Sequence, residues 1–258
     1  MNRKEFIELG LGSLALSQFP LIYSWGKNET LIKKKIPKHN KHISSIGMGT
    51  WITFNVGNNQ QLRDSRAQVL KTFLENGGEM VDSSPMYGSA EEVVGYCYEK
   101  LGKPSSLFSA TKIWTSSTPE GLEQHQNSLK LWKTSTLDLQ QVHNLVNWKD
   151  HLTNMRKLKQ QGQIRYIGLT TSHGRRHSEL EQIMKSEELD FVQLTYNITH
   201  RQADERLLKV AQDRGIAVIA NRPYDGGQLM DTYKSKPLPG LAKEAGIGSW
   251  AELFLKWI

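Results

Sequence analysis

Apolar positions along this chain fall into short, strand-like runs separated by longer stretches with helical spacing. Seven runs predict strands: ISSIGMGTW (43–51), EMVDSS (79–84), LFSATKIW (107–114), LDLQQVHNL (137–145), IRYIGLTTS (164–172), LDFVQLTYN (189–197) and IAVIANRPY (216–224). The intervening segments predict amphipathic helices. SRAQVLKTFLENGG (65–78) closes on a glycine pair suited to a left-handed C-cap. SAEEVVGYCYEKLG (89–102) opens on Ser89 with Glu92 three residues on, the spacing of a capping box. TPEGLEQHQNSLKLW (118–132) opens with Thr118 as the cap and Pro119 in the first turn.

Strand-helix alternation at this period predicts a parallel sheet with helical crossovers, either a closed barrel or a doubly wound open sheet. The open sheet of the dinucleotide-binding type calls for G-x-G-x-x-G after an early strand, and the chain has none. Polar residues instead recur at the C-terminal ends of different strands: Asp82, Lys112, His143, Thr170 with Thr171, Gln193, and Asn221 with Arg222. In a (β/α)8 barrel those ends converge on one rim, where active sites lie, so the expected fold is a (β/α)8 TIM barrel. The last segment, GSWAELFLKWI (248–258), predicts a seventh helix. An eighth βα unit, on the order of 30 residues, is missing from the chain, and we expect a barrel incomplete at the C-terminus over residues 31–258.

Composition narrows the picture only slightly. Lys and Arg number 33 against 26 acids, a net charge of +7, which favours anions in general: a phosphorylated cofactor, a nucleic acid or an anionic membrane. No zinc-finger spacing or aromatic-basic RNA-binding signature is present, and no nucleic-acid partner is expected. One cysteine, Cys97, excludes an internal disulfide and any multi-cysteine metal site; its helical context predicts a buried thiol. At the N-terminus, MNRKEFIELGLGSLAL places Arg3 and Lys4 ahead of a short apolar run, resembling a twin-arginine export signal with lysine as the second base. The run is too short to span a membrane, so residues 1–30 are expected to be a signal-like leader or a disordered segment. Periplasmic export is the expectation, with a cytoplasmic location as the alternative.

Several strand-end residues carry chemistry only as a group. Lys112 sits between residues that prefer burial, and a buried lysine needs an acid partner; Asp82, on the neighbouring strand, is the candidate. Tyr87 stands in SPMYGS, in a turn marked by Pro85 and Gly88. Alone it is a rim aromatic, and His143 alone is a satisfied core histidine. Together they predict a buried ammonium beside a phenol, lowering the phenol's pKa from about 10, with Asp82 holding the lysine charged. Tyr87 is then a usable general acid, and His143 orients a carbonyl. That arrangement suits protonation of a carbonyl oxygen while hydride is delivered to carbon from elsewhere.

VDSSPMYGSAEEVVG (81–95) resembles the Asp and Tyr signature of the aldo-keto reductase superfamily, and SATKIW and LQQVHNL resemble its lysine and histidine strands, in the same order. The resemblance runs from about residue 43 to 258. It implies a (β/α)8 barrel, NADP(H) at the C-terminal rim, and carbonyl reduction in which hydride goes to carbon and the tyrosine proton to oxygen. It also makes Asp82, Tyr87, Lys112 and His143 the four catalytic positions. For the cofactor, VQLTYN resembles the family's sixth strand and implies Gln193 as a ligand of the nicotinamide carboxamide. Where the family commonly has Ser-Asn, Thr170 and Thr171 stand; where it has an aromatic that stacks on the nicotinamide, Asn221 stands. Arg222 is a candidate phosphate contact, Tyr224 a displaced aromatic surface, and the Gly226–Gly227 pair a place for close backbone approach to a pyrophosphate.

The leading expectation is an NADPH-dependent reductase of aldehydes or ketones, with Trp51 and Trp114 shaping a pocket for aromatic or apolar carbonyl compounds. The first alternative is a reductase-like binding or regulatory protein that holds the cofactor with little turnover. A metal-dependent barrel hydrolase using Asp82 and His143 is the second, although no clustered metal-ligand spacing supports it. Substrate identity and oligomeric state leave no mark in these patterns.

Overall fold

The structure, a computed structural model, describes residues 31–102 and 106–258. The leader expected at 1–30 lies outside the described residues. A short antiparallel hairpin, β1 (Lys33–Lys35) and β2 (His42–Ser44), precedes the main sheet. Seven parallel strands then follow in strict sequence order: β3 (Met48–Gly49), β4 (Met80–Asp82), β5 (Phe108–Ile113), β6 (Leu137–Val142), β7 (Ile164–Thr170), β8 (Phe191–Thr195) and β9 (Ala217–Asn221). Helices α1 (Gln60–Glu75), α2 (Ala90–Leu101), α3 (Thr118–Leu131), α4 (Trp148–Gln160), α5 (His177–Ser186) and α6 (Leu207–Arg214) make the crossovers. Three short helices, α7 (Gln228–Tyr233), α8 (Gly240–Glu244) and α9 (Trp250–Trp257), follow β9. Among the described residues the sheet ends at β3 on one side and β9 on the other.

Curvature is visible in the side chains. Flat strands spaced about 4.8 Å apart would put β4 and β8 roughly 19 Å from each other, yet Gln193 Nε2 on β8 donates to Asp82 Oδ1 on β4 at 3.2 Å. The strands therefore wrap around a common interior, as in a (β/α)8 barrel. Inside it, Phe108, Tyr166 and Phe191 pack ring against ring, and Ile36 and Ile43 of the hairpin join them with Met80, Ala110 and Leu139. This apolar layer fills the N-terminal part of the interior. Above it, toward the strand C-termini, the inward side chains turn polar. The alternate residues, such as Val81, Val142, Leu169 and Val192, face the helices in two further clusters.

The first expected strand, 43–51, is two elements: its front half is β2 of the hairpin, and only Met48–Gly49 joins the barrel. Helix caps also differ from expectation. Ser89 makes no capping bond, because its hydroxyl is taken by Asn55 Oδ1 and the Gly57 N–H, and Glu92 pairs with Arg63 instead of closing a capping box. Helix α3 is capped by Ser117, whose Oγ accepts from Glu120 N, so Thr118 lies inside the helix. Helix α1 starts before the expected position 65, at Gln60, where Asn59 Oδ1 caps Leu62 N. Cys97 is buried and free, and burial pushes its thiol up to about 11.

Candidate active site

Asp82 is the last residue of β4, and its carboxylate gathers three donors from three other strands. Lys112 Nζ of β5 donates to Oδ2 at 2.6 Å. Gln141 Nε2 of β6 and Gln193 Nε2 of β8 each donate to Oδ1 at 3.2 Å. The parallel register makes this possible by setting Lys112 beside Gln141. Lys112 is 0% exposed, which its ammonium tolerates because a second bond, to Ser83 O at 2.8 Å, adds to the Asp82 ion pair. The remaining neighbour of Nζ is Tyr87, whose ring centroid lies 5.2 Å away. Tyr87 ends a 3₁₀ turn, Pro85–Tyr87, capped by Ser84. His143, directly after β6, meets the Tyr87 ring edge-on at a centroid separation of 5.7 Å. Asp82, Lys112, Tyr87 and His143 thus form one contiguous group at the C-terminal mouth.

The electrostatics correct one expectation. Burial raises the Tyr87 phenol above its ordinary pKa, and Asp82 adds to the rise, while Lys112 only offsets it. The expected depression of the phenol does not occur, because desolvating a phenolate costs more here than one neighbouring ammonium returns. Burial works against the Lys112 ammonium, but Asp82 and Tyr87 together carry its pKa above the usual lysine value, so it stays charged. Burial, then the Lys112 charge, brings His143 down to about 3. At neutral pH the group is therefore a neutral phenol, a neutral imidazole and a fixed ion pair.

On β7 to β9 the picture is different. Thr170 Oγ1 accepts the Asn144 N–H at 3.1 Å, which supports the turn after His143, where Asn144 and Leu145 both have positive φ. Thr171 Oγ1 is buried and has no hydrogen-bond partner among the described residues. Asn221 makes one bond with each amide atom: its Oδ1 accepts from Thr195 Oγ1 at 2.7 Å and its Nδ2 donates to Thr171 O at 2.9 Å. It ties the tops of three strands together and keeps one lone pair and one N–H beyond these bonds. Arg222 has a buried, unpartnered Nε and only a long contact, 3.4 Å, to Asp225. Gly226, at φ +68, lies under the Arg222 guanidinium, and a Cβ there would meet Arg222 Nη2 at 2.8 Å. Tyr224 is half-buried beside this turn. Trp51 and Trp114 follow the ends of β3 and β5 on the same mouth, 48% and 43% exposed.

Four participants escaped the sequence reading. Gln141 is two residues before His143, so the strand's period of two places both on the inner face. Ser84, two residues after Asp82, bonds His143 Nδ1 at 3.0 Å. Glu91 lies on the buried face of α2 with Val94 and Tyr98, the helical spacing that marks an acid out of place. Its Oε1 accepts from Thr111 Oγ1, Ser128 Oγ and Trp132 Nε1. Gln124 clamps the backbone of Trp114 through both its amide atoms, and nothing in the local pattern signals it. Among the described residues no group of three or more His, Cys, Asp or Glu side chains converges in a way that would hold a metal. Likewise no described helix is long and apolar enough to cross a membrane.

Residues 45–258 match the profile of the Aldo/keto reductase family. Aldo-keto reductase YhdN of Bacillus subtilis is 27% identical over 195 residues, covering 68% of this chain and 57% of its own length. The chain thus spans little more than half of that relative. An NADH-specific methylglyoxal reductase of Escherichia coli is 26% identical over 263 residues, covering 87% of this chain and 78% of the relative. In fold, the chain is similar to an aldo/keto reductase from Klebsiella pneumoniae solved with NADP and acetate, with a TM-score of 0.71 at 24% identity over 84% of this chain and 77% of that one.

Proposed function

This chain belongs to the aldo/keto reductase family, and from that premise we propose that it reduces aldehyde or ketone carbonyls to alcohols with NADP(H), using Tyr87 as the general acid. The observation that carries the reading is the contiguous group at the barrel mouth, with the Lys112–Asp82 pair at 2.6 Å behind the Tyr87 ring. The cofactor supplies the hydride. Thr171, with its unpartnered hydroxyl, and Gln193 suit a carboxamide, which both donates and accepts. Arg222, with its free Nε, suits a phosphate oxygen, and the Gly226–Gly227 turn lets backbone come close to it. Asn221, fixed in orientation by its bonds to Thr195 and Thr171, has a planar amide but no aromatic ring to offer the nicotinamide.

Tyr87 stays neutral at working pH and so is always in its donor form. When its proton passes to the carbonyl oxygen, the phenolate that remains is the neighbour of a buried ammonium. Lys112 therefore acts after the transfer, stabilising the product side of that step, and Asp82 keeps it charged. Neutral His143 lends a hydrogen bond to the same oxygen. Trp51 and Trp114 border the approach.

Steady-state reduction of methylglyoxal and of a panel of aromatic aldehydes, with NADPH and NADH in parallel, tests this. Tyr87→Phe should lower kcat by about 10² to 10⁴; retention of most activity would refute the acid role. The paired cofactors decide between NADPH and the NADH of the Escherichia coli relative. Cofactor binding by fluorescence without turnover of any carbonyl would favour the binding-protein alternative. We also propose export through the Arg3–Lys4 leader, which loss of periplasmic recovery on replacing both residues with alanine would support.

A further inference from the structure

We propose that Ser84 is a positioning residue that sets the tautomer of His143, so that Nε2–H faces the carbonyl oxygen. This rests on the reading of His143 given above. Ser84 follows Asp82 by two residues and is 0% exposed, in extended backbone at φ −164. Its hydroxyl oxygen accepts the Met86 N–H at 3.3 Å and lies 3.0 Å from His143 Nδ1. A buried hydroxyl has one proton to donate, and leaving it unused is costly. Met86 N is itself a donor, so Nδ1 is the acceptor that contact provides. Nδ1 therefore carries the lone pair, and the ring proton sits on Nε2.

The consequence is chemical. A neutral imidazole presents either a proton or a lone pair from its outer nitrogen. Burial and the Lys112 charge keep His143 neutral, so protonation does not remove the choice. With Nε2–H, the carbonyl oxygen meets two donors, the phenol of Tyr87 and the imidazole. With the opposite tautomer it meets one donor and a repelling lone pair. The edge-on Tyr87 ring, 5.7 Å from His143 at 86°, fixes the ring plane, and Ser84 fixes the proton. Ser84 O also accepts the Tyr87 N–H at 2.9 Å, so one residue orients both donors.

The test uses the full chain with ¹⁵N-histidine and long-range ¹H–¹⁵N spectra at pH 7, the His143 signals being assigned with His143→Gln. Wild type should show a bare Nδ1 and a protonated Nε2. In Ser84→Ala the Nδ1 shift should move toward the average of the two tautomers. Its kcat should fall by about three- to tenfold, less than the 10² to 10³ lost when such a donor is removed outright, with cofactor Kd unchanged. Ser84→Thr keeps the hydroxyl on a residue suited to extended backbone and should restore both; it also serves if Ser84→Ala folds poorly. A protonated Nδ1 in the wild type, or no tautomer change in Ser84→Ala, overturns the proposal. A tautomer change with unchanged kcat supports the hydrogen bond and overturns the role of His143 toward the carbonyl, separating the two ideas.

Discussion

The mouth of the barrel has two halves that handle polar groups in opposite ways. On β4 to β6, Asp82 accepts from β5, from β6 and, across the barrel, from β8, and Lys112 is fully buried between two acceptors; among the described residues, Gln141 Oε1 lacks a partner, as does Gln140 Nε2, whose side chain turns outward to His125. On β7 to β9, Thr171 Oγ1 and Arg222 Nε have no partner, and along β9 no residue is fully buried. A site that moves a proton must hold its groups in fixed geometry before the reaction, so its internal bonds are satisfied. A surface that holds a ligand keeps hydrogen-bonding capacity unspent. On the function proposed above, the first half serves the chemistry and the second the binding of cofactor.

The sharpest way to break that division is Lys112→Met. If the first half is a proton-handling unit, kcat should fall by about 10³ or more. Stability should drop as well, by about 3 kcal/mol, because the largely buried Asp82 carboxylate loses its ion-pair partner and keeps only the amide donors of Gln141 and Gln193. The double variant Lys112→Met with Asp82→Asn should regain much of the stability and none of the turnover. Urea unfolding and single-turnover kinetics measure the two effects, and a single variant keeping a tenth of wild-type kcat would erase the distinction between the halves.

A pH titration of stability comes next. His143 is held at about 3 in the folded chain, against roughly 6.5 when unfolded. As pH falls through 6.5 the unfolded chain takes a proton that the folded chain refuses until about 3, so stability is lost progressively across that window. The limit is about 5 kcal/mol. Carboxylates titrate in the same range, so the comparison is with His143→Gln, which should have a visibly shallower acid limb. Equal limbs would mean that the imidazole is not held neutral. Glu91→Ala follows in size, at about 3 kcal/mol, since it orphans three buried donors at once; thermal unfolding reads it.

Much of this was legible in the chain because the signals were strong where burial is two-sided. Six of the seven barrel strands stand out as apolar runs, the first being hidden behind the hairpin; Asp82, Lys112 and His143 stand at strand ends and Tyr87 in the Pro-Gly turn just after one, so the group was legible in the chain. Short elements left weaker traces. The hairpin Lys33–Ser44 buries Ile36 and Ile43 but is otherwise basic, so it reads as a charged stretch. Helix α1 begins in QQLRD, whose polar first turn hides its start. The pKa of Tyr87 was misjudged for a different reason: a neighbour's charge can be inferred from sequence, whereas the desolvation that outweighs it depends on how closely the turn packs. Asn221 shows the same limit, since its bonds to Thr195 and Thr171 depend on how far side chains reach between neighbouring strands, which no local pattern encodes.

The adjacent threonines at the end of β7 offer the finest test of the two halves, because Thr170 supports the turn after β6 while Thr171 does not. Thr170 Oγ1 supports the His143 turn by accepting Asn144 N–H; Thr171 Oγ1 has no hydrogen-bond partner among the described residues. Thr→Val is nearly isosteric and removes only the hydroxyl. At Thr170 it should lower stability by about 1 to 2 kcal/mol, leaving a backbone N–H unpaired, with kcat affected through His143 and cofactor Kd little changed. At Thr171 it should leave stability level or slightly higher, because no internal bond is lost, while cofactor Kd rises by about five- to tenfold for one missing hydrogen bond. Fluorescence titration with NADPH and thermal unfolding of both variants read the pattern. Interchanged outcomes would contradict the division of the mouth into the two halves.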